Sequence, residues 1–562
     1  MKRILPILVA LLPHFFVSGQ AFINPLNIPS MINGNLFQLD CDSGSWQIYP
    51  GSTTSTFAVN GDYLGPTLEF QKGDSVDIVI SNLLGEETSL HWHGLHVPAA
   101  MDGGPETTIP AGTDFTSSFR VLNRAGTYWY HPHVHMNTQN QVTKGMAGLI
   151  IVRDTEEAAL PLPRSYGFDD IPIILQDRKY DATNQFFMGP MGDSMLVNGT
   201  ARPYRDVPEQ FVRLRILNAS NARVYQLGFD DNRTFHVIAT DGGLLEAPVP
   251  VNRIRLANGE RVEILVDFTQ QAGSSCRLRS FGTELPTTVP GNITGGMGNS
   301  GPLDGVDFDI IEFRVIPSVP GGITALPVYS VPMQTYDPVQ ADRIRNRSIT
   351  GMGMIGMGNF YLDGNQYIMG VVNDTMRLGD IELWNVTNNS NISHPMHVHD
   401  VSFRILTRNG TAPAAVEQGW KDVFNILPQE TVSLIMRFED YADANVPYMY
   451  HCHNLAHEDM GMMTSFIVID TATSGISGAA EDKLLFLFPN PSTDHWEIRT
   501  PVSDCSPLEY TVRDMSGRVV RSERTNVPVI PTTNLSSGIY VLEIRPSGEP
   551  VRTLRGIVGP KN

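Results

Sequence analysis

The segment HCHNLAHEDMGMM, residues 451–463, sets three histidines around one of only 4 cysteines in a chain of 562 residues. Residues two apart on an extended strand point to the same face, whereas on a helix they diverge. His451 and His453 therefore share a site if this segment is β, and Cys452 then points to the opposite face. The same spacing recurs at His91 and His93, His131 and His133, and His397 and His399. Most of the 15 histidines fall into four clusters: HWHG, HPHVH, HPMHVH and HCHNLAH. A lone buried histidine is usually a hydrogen-bonded core residue. Four alternating pairs, one of them flanking a cysteine, are a set of ligands that the fold has to bring together from four distant strands.

The rest of the chain agrees with strands. Helical periodicity is scarce. Short β-rich runs alternate with Gly, Pro, Asn and Asp: SVDIVISN (75–82), AGLIIVRD (147–154), FVRLRILNAS (211–220), RVEILVDF (261–268) and TVSLIMRFED (431–440). This spacing predicts an all-β chain of sandwiches or Greek-key barrels. PTLEFQKGDSVDIVISN (66–82), DVPEQFVRLRILNAS (206–220) and DTMRLGDIELWNVTN (374–388) share a plan: an approach, a polar turn and a strand ending in Asn. Such repetition is expected if one unit is used three times. Domains are expected at 20–160, 161–318 and 345–472, with a connector at 319–344. A small-residue linker follows at 473–483, then a short β-like module at 484–562.

The first residues, MKRILPILVALLPHFFVSGQ, pair a basic start with a short apolar run and small residues before Gln20. That is the pattern of a signal peptide over 1–19, so export is expected. A net charge of -19 argues against nucleic acid as a partner, because phosphate binding needs basic patches. Export permits disulfides. If Cys452 serves a metal, Cys41, Cys276 and Cys505 allow one bridge at most, and Cys41–Cys276 is one pairing open to them.

A thiolate, two imidazoles and a weak axial thioether make the ligand set of a blue-copper electron-transfer site. Cys452, His457 and Met462 offer three of these from one segment. His394, which opens HPMHVH, is the natural second imidazole. Eight imidazoles remain: His91, His93, His131, His133, His397, His399, His451 and His453. They are too many for one ion and suit a cluster of three coppers. Copper fits this donor set better than zinc.

These motifs resemble the four copper signatures of the multicopper oxidases, over most of residues 40–472. HPHVH, TKGMAGLIIV (143–152) and HEDMGMM resemble most the bacterial laccases, the copper-efflux oxidase and bilirubin oxidase. The resemblance implies three cupredoxin-like Greek-key β-barrel domains and four copper ions. It implies a type 1 copper on His394, Cys452 and His457 with Met462 axial, and a type 2 copper on His91 and His397. It implies a type 3 pair, one ion on His93, His131 and His453, the other on His133, His399 and His451. The family's cluster lies between the first and third domains, and the middle segment, which keeps only His236, reads as a structural spacer. Donor electrons would enter at the type 1 site, pass through Cys452 and reduce O2 to water at the cluster. Asp102 in MDGGP and Glu458 in HED occupy the positions of the family's acidic proton relays. Methionine at Met462 resembles the lower-potential laccases and favours phenols, diamines or Cu(I).

Two further segments bear on the substrate and on location. GMGMIGMG (351–358) carries Met352, Met354 and Met357, and GGMG adds Met297. Thioethers are soft ligands that suit Cu(I). The copper-efflux oxidase has a methionine-rich segment in its corresponding connector, so the alternative function is a cuprous oxidase for copper tolerance. Otherwise this is a glycine loop whose methionines pack on the third domain. The C-terminal module, with FPNPSTDHWEI, DMSGRVV and LSSGIYVLEI, resembles the sorting domain of the type IX secretion system. Its ending, RGIVGPKN, departs from the usual basic tail. The resemblance implies release or display at the surface of a Gram-negative cell by the type IX machinery; an adhesion or carbohydrate-binding β-domain is the alternative. A monomer is expected. A non-catalytic cupredoxin scaffold is a third reading of the whole chain, and the complete set of histidines, Cys452 and Met462 speaks against it.

Overall fold

Three strands hold the same place in three different sheets: Ser75–Asn82, Phe211–Asn218 and Ile381–Asn388. Each pairs in parallel with an earlier strand, respectively Leu36–Trp46, Asp170–Arg178 and Arg343–Met354. Each pairs antiparallel with a later one, respectively Asp114–Arg120, Arg261–Asp267 and Thr431–Arg437. All three end on an asparagine that is fully buried. The Nδ2 of Asn82 donates to the carbonyls of Glu86 and Ile109, that of Asn218 to Arg223 and Leu256, and that of Asn388 to Ile392 and Ile426. The Oδ1 atoms accept the N–H groups of Leu84, Ser220 and Ser390. A carboxamide carries two donors and an acceptor on one small side chain, and this turn out of the sheet uses all of them. The repeated terminal asparagine in the sequence thus marks one structural device made three times.

The computed structural model describes residues 21–293 and 301–471, and in the C-terminal module 486–488, 492, 494–499, 508–514, 517–527, 529–546 and 552–558. The expected signal segment 1–19, Met297, the linker 473–483 and Cys505 lie outside the described residues. The chain divides into two compact units, 1–471 and 472–562.

The fold is all-β. In the larger unit each of the three sheets above faces a second sheet, and an apolar core fills the gap. The first core runs from Phe37 to Val152, with Leu39 and Ile78 on one sheet meeting Leu68, Tyr130 and Ile150 on the other. The second gathers Val212, Leu214 and Ile216 against Phe229, Leu278 and Phe313. It also takes in Leu26, because Asn24–Pro25 pairs with Pro203–Tyr204. The third runs from Ile349 to Val468 and contains Cys452 and Met462. In the smaller unit Trp496, Val512, Leu542 and Ile544 form a core of their own between strands of two sheets.

Strand Phe211–Asn218 is buried on both faces, and its outer face explains the alternating arginines. Arg215 donates to both oxygens of Asp170, at 2.6 and 3.0 Å, and to Glu263 at 2.7 Å and Thr127 at 2.9 Å. Arg213 bonds Glu263 and Glu157. Charges at such a seam persist only when paired in this way.

Two expectations need correction. Cys41 and Cys276 are buried free thiols in two separate cores, so they form no bridge. Burial pushes both thiols up to about 12. The segment 351–358 is no open glycine loop. It is the tip of an antiparallel hairpin, Arg343–Met354 with Met357–Leu362, in which Met354 stands opposite Met357.

Asn218→Leu keeps the branched shape of the side chain and removes three buried hydrogen bonds. The copper-free protein is expected to lose about 2–5 kcal/mol of stability, read as a lower urea midpoint. An unchanged midpoint would refute the role given to the repeated asparagine.

Candidate metal centre

The four histidine pairs converge. His91–His93 and Gly126–His131 are antiparallel neighbours around the first core, with His91 opposite His131. In the third, His394–Val398 pairs with Asp443–Cys452, placing His397 opposite His451 and Met396 opposite Cys452. Every histidine of the four clusters except His135 is at most 1% exposed. Between strands of the first and third cores His91 Nε2 lies 3.4 Å from His397 Nε2, and His133 Nε2 lies 3.2 Å from His451 Nε2. His399 Nε2 is 3.1 Å from His451 Nε2, and His93 Nδ1 is 3.4 Å from His131 Nε2.

The hydrogen bonds around the rings decide which nitrogens carry protons. A carbonyl can only accept, so a ring nitrogen bonded to one must carry the hydrogen. His91 Nδ1 donates to the Asp102 carbonyl, His397 Nδ1 to that of Asp422, His131 Nδ1 to that of Pro132 and His451 Nδ1 to that of Cys452. His399 Nδ1 donates to Asp102 Oδ2 at 2.7 Å, and His93 Nε2 donates to Asp422 Oδ1 at 3.1 Å. Six imidazoles therefore turn a bare lone pair inward. In three contacts, His91 with His397, His399 with His451, and His93 with His131, bare lone pairs face each other at 3.1–3.4 Å. Both nitrogens of His453 and the Nδ1 of His133 lack any hydrogen-bond partner. Such a cluster is repulsive without cations and complete with them. His91, His397 and His399 form one set whose ligand atoms all lie within 4.8 Å of one another; His133, His399 and His451 form another, and His91, His93 and His131 a third.

On the other face of the strand, Cys452 Sγ is 3.4 Å from His394 Nδ1 and 3.7 Å from His457 Nδ1, and all three are buried. Ser390 Oγ donates its hydrogen to Asn388 and Ile392, so at 2.9 Å it accepts from His394 Nε2. The His394 Nδ1 lone pair is then aimed at the thiol. Met462 is buried in the same core, with its N–H on the His457 carbonyl and its carbonyl on the Cys452 N–H. Phe360 covers His394 and His457, with ring centroids 4.8 and 4.5 Å away. Burial raises the Cys452 thiol, and a bound metal ion displaces such a proton outright. The donor sets on both faces fit copper.

Asp102 and Glu458 reach the cluster at different rings. Asp102 Oδ1 is 3.3 Å from His91 Nδ1 and has no other partner. Glu458 lies 3.5 Å from His133 Nδ1 and 3.4 Å from His451 Nδ1. Burial raises its carboxyl well above the usual range, with Asp459 adding to the effect. Met352, Met354 and Met357 are not part of either group. Met352 and Met357 are 79% and 63% exposed on the hairpin. His96, His135 and His236 also stand apart: His96 bonds Asp440, His135 stacks edge-on against Tyr367, and His236 is half-buried.

Sequence reasoning missed Asp422 and everything that holds it. No local pattern marks this aspartate; an acid between Trp420 and the apolar run VFNIL is its only trace. Sequence reasoning also missed that the middle segment, read as a structural spacer, reaches the residues around the cluster. Arg261 binds Asp422 through both carboxylate oxygens, and Asn258 Nδ2 donates to the His453 carbonyl.

Comparison with known proteins agrees with this geometry. Three family models described as multicopper oxidase match residues 40–157, 173–276 and 333–472. A model described as a secretion system C-terminal sorting domain matches residues 486–558. The cell division protein FtsP of Sodalis glossinidius is 34% identical over 431 residues, covering 75% of this chain and 87% of that protein. The multicopper oxidase mco of Staphylococcus haemolyticus is 31% identical over 437 residues, covering 76% and 87%. Among solved structures, the laccase-like multi-copper oxidase CueO of a lignin-degrading Ochrobactrum species is 31% identical with a TM-score of 0.70, covering 79% of this chain and 100% of that one.

Burial, reinforced by neighbouring imidazoles, holds His93, His131, His133, His397, His399 and His453 well below the ordinary imidazole value of 6.5. Burial holds His451 and His457 at about 3. Below pH 6.5 the unfolded chain therefore takes up protons that the folded chain refuses. Metal-free protein should lose stability as pH falls from 6.5 towards about 3, at up to about 1.4 kcal/mol per pH unit for each such ring. Urea midpoints of metal-free protein at about pH 7.5 and about pH 5 test this; a midpoint that holds or rises at the lower pH contradicts it.

Proposed function

The chain belongs to the multicopper oxidase family, and we propose that it is an exported, laccase-like oxidase coupling one-electron oxidation of phenolic or similar donors to four-electron reduction of O2 to water. The observation that carries this reading is the set of inward-facing lone pairs, which asks for several cations at one place. His394, Cys452, His457 and Met462 would hold the type 1 copper, and His91 with His397 the type 2 ion. His93, His131 and His453 would hold one type 3 ion, and His133, His399 and His451 the other. Copper, when bound, supplies one-electron acceptance at the first site and oxygen reduction at the cluster.

The chain's own residues do the rest. Cys452 is bonded through the backbone to His451 and His453, so the two ligand sets are a few covalent bonds apart. Burial raises the Glu458 carboxyl well above its usual range and so favours its protonated form beside His133 and His451. Asp102 keeps one oxygen fixed by His399 and one free beside His91. The two acids suit proton delivery to O2. Phe360 shields the histidines of the type 1 site from water.

A cuprous oxidase is the second reading, and one observation favours it. The backbone of Met354 lies against His457, so the exposed thioethers of Met352 and Met357 ride on a hairpin that touches the electron-entry site. A non-catalytic cupredoxin scaffold is the third reading, which the full ligand set opposes. The sorting module supports export by a type IX route to the surface of a Gram-negative cell or beyond.

Copper-loaded protein is expected to be blue and to take up O2 with a phenol as donor; a colourless, inactive loaded protein would sink the oxidase. Cys452→Ser should lose the colour and keep cluster copper, and a retained colour would refute the type 1 assignment. With Met352→Ser and Met357→Ser together, phenol oxidation should be unchanged. A selective fall in Cu(I) oxidation would instead favour the cuprous reading.

A further inference from the structure

The second core presents a short segment, Asn258 to Arg261, to the back of the histidine cluster. We propose that this segment is a working part of the oxygen-reducing site: Arg261 is a positioning residue that aims His93 and His397 through Asp422, and Gly259 is the seat of His453. The proposal rests on the multicopper oxidase reading above.

Arg261 is buried, and all five of its N–H groups are committed. Nε donates to the Thr127 carbonyl at 3.1 Å, on the strand that carries His131. Nη1 donates to the Gly259 carbonyl at 3.0 Å and to Asp422 Oδ1 at 2.6 Å. Nη2 donates to the Asp241 carbonyl at 3.0 Å and to Asp422 Oδ2 at 2.5 Å. One guanidinium thus ties the first, second and third cores together at the cluster. Asp422, gripped on both oxygens, still accepts His93 Nε2–H with its carboxylate at 3.1 Å. Its carbonyl accepts His397 Nδ1–H at 2.8 Å. Those two bonds determine which nitrogen each ring turns inward. They also explain why His93 presents Nδ1 where its neighbours present Nε2.

Stability alone is a poor reason for this arrangement. A buried ion pair is often no better than well-packed apolar side chains. The fork geometry is the better reason, because a lysine offers its donors from a single point and cannot hold both oxygens and three carbonyls. The backbone beside it is equally specific. Gly259 has φ +85°, and a Cβ there would lie 2.9 Å from His453 Cγ. Gly94, which follows His93, has φ +86°, and a Cβ there would strike Asp422 and Arg261. By contrast, His394 and His457 are held by Ser390 and the Met354 backbone, with no bond to Asn258, Gly259 or Arg261.

The test is copper reconstitution of full-length Arg261→Met, Arg261→Lys and Gly259→Ala beside the parent protein. Copper per chain, blue absorption and the type 2 paramagnetic resonance signal are read together. Cluster copper should bind about 10–100-fold more weakly in Arg261→Met and Gly259→Ala, both with full blue absorption, and Arg261→Met, which loosens the hold on His397, should also alter the type 2 signal. Arg261→Lys should fall between them and the parent. Unchanged cluster affinity and an unchanged type 2 signal would overturn the proposal. So would loss of blue and cluster copper in parallel, which is the mark of general unfolding. If Arg261→Met does not fold, Gly259→Ala decides. A parent protein that takes up no copper would overturn the oxidase reading itself, an outcome distinct from failure of the variants alone.

Discussion

Buried imidazoles whose N–H groups are already engaged leave lone pairs with nowhere to go but towards each other. That constraint organises the larger unit. Burial disfavours the charged form of His93, His131, His397, His399 and His451, and a carbonyl or carboxylate on the outside sets the tautomer of these rings and of His91. The orphaned nitrogens then gather at the seam between the first and third cores. A folded chain of this kind is internally strained by electrostatics until cations arrive, so metal affinity and fold stability are coupled.

The seam has to be held more precisely than packing of two cores would manage. The second core does this. Its outer face carries Arg213, Arg215 and Arg261, each with paired carboxylates, and Arg261 extends to the strand of His131 and to Asp422. A middle unit that carries none of the proposed copper ligands still controls the direction of the rings that bear them. Position and orientation of ligands matter as much as their identity, because outer partners fix ring geometry and basicity.

Much of this was legible in advance. The period of two at His451 and His453 implied a strand and placed Cys452 on the far face, and the structure has that strand. The asparagines ending three similar segments implied one unit used three times, and each makes the same three hydrogen bonds. Local patterns are readable because alternation and turn chemistry depend on neighbours in the chain. What could not be read were contacts made across domains by residues with no local signature. Asp422, Arg261 and Gly259 look ordinary where they stand, and the middle segment was taken for a spacer for that reason. Cys41 and Cys276 looked like partners only because composition does not say which core a residue enters.

The sequence by itself determined the donor atoms and their sorting onto two faces of a strand, since side-chain chemistry and strand pleat are local properties. It also determined the family and the all-β class. Tertiary structure alone decided which nitrogen each imidazole turns inward, how close rings from distant strands come, and which arginine holds them there. Those depend on hydrogen bonds between residues as far apart as Arg261 and Asp422, which exist only after three cores have packed together.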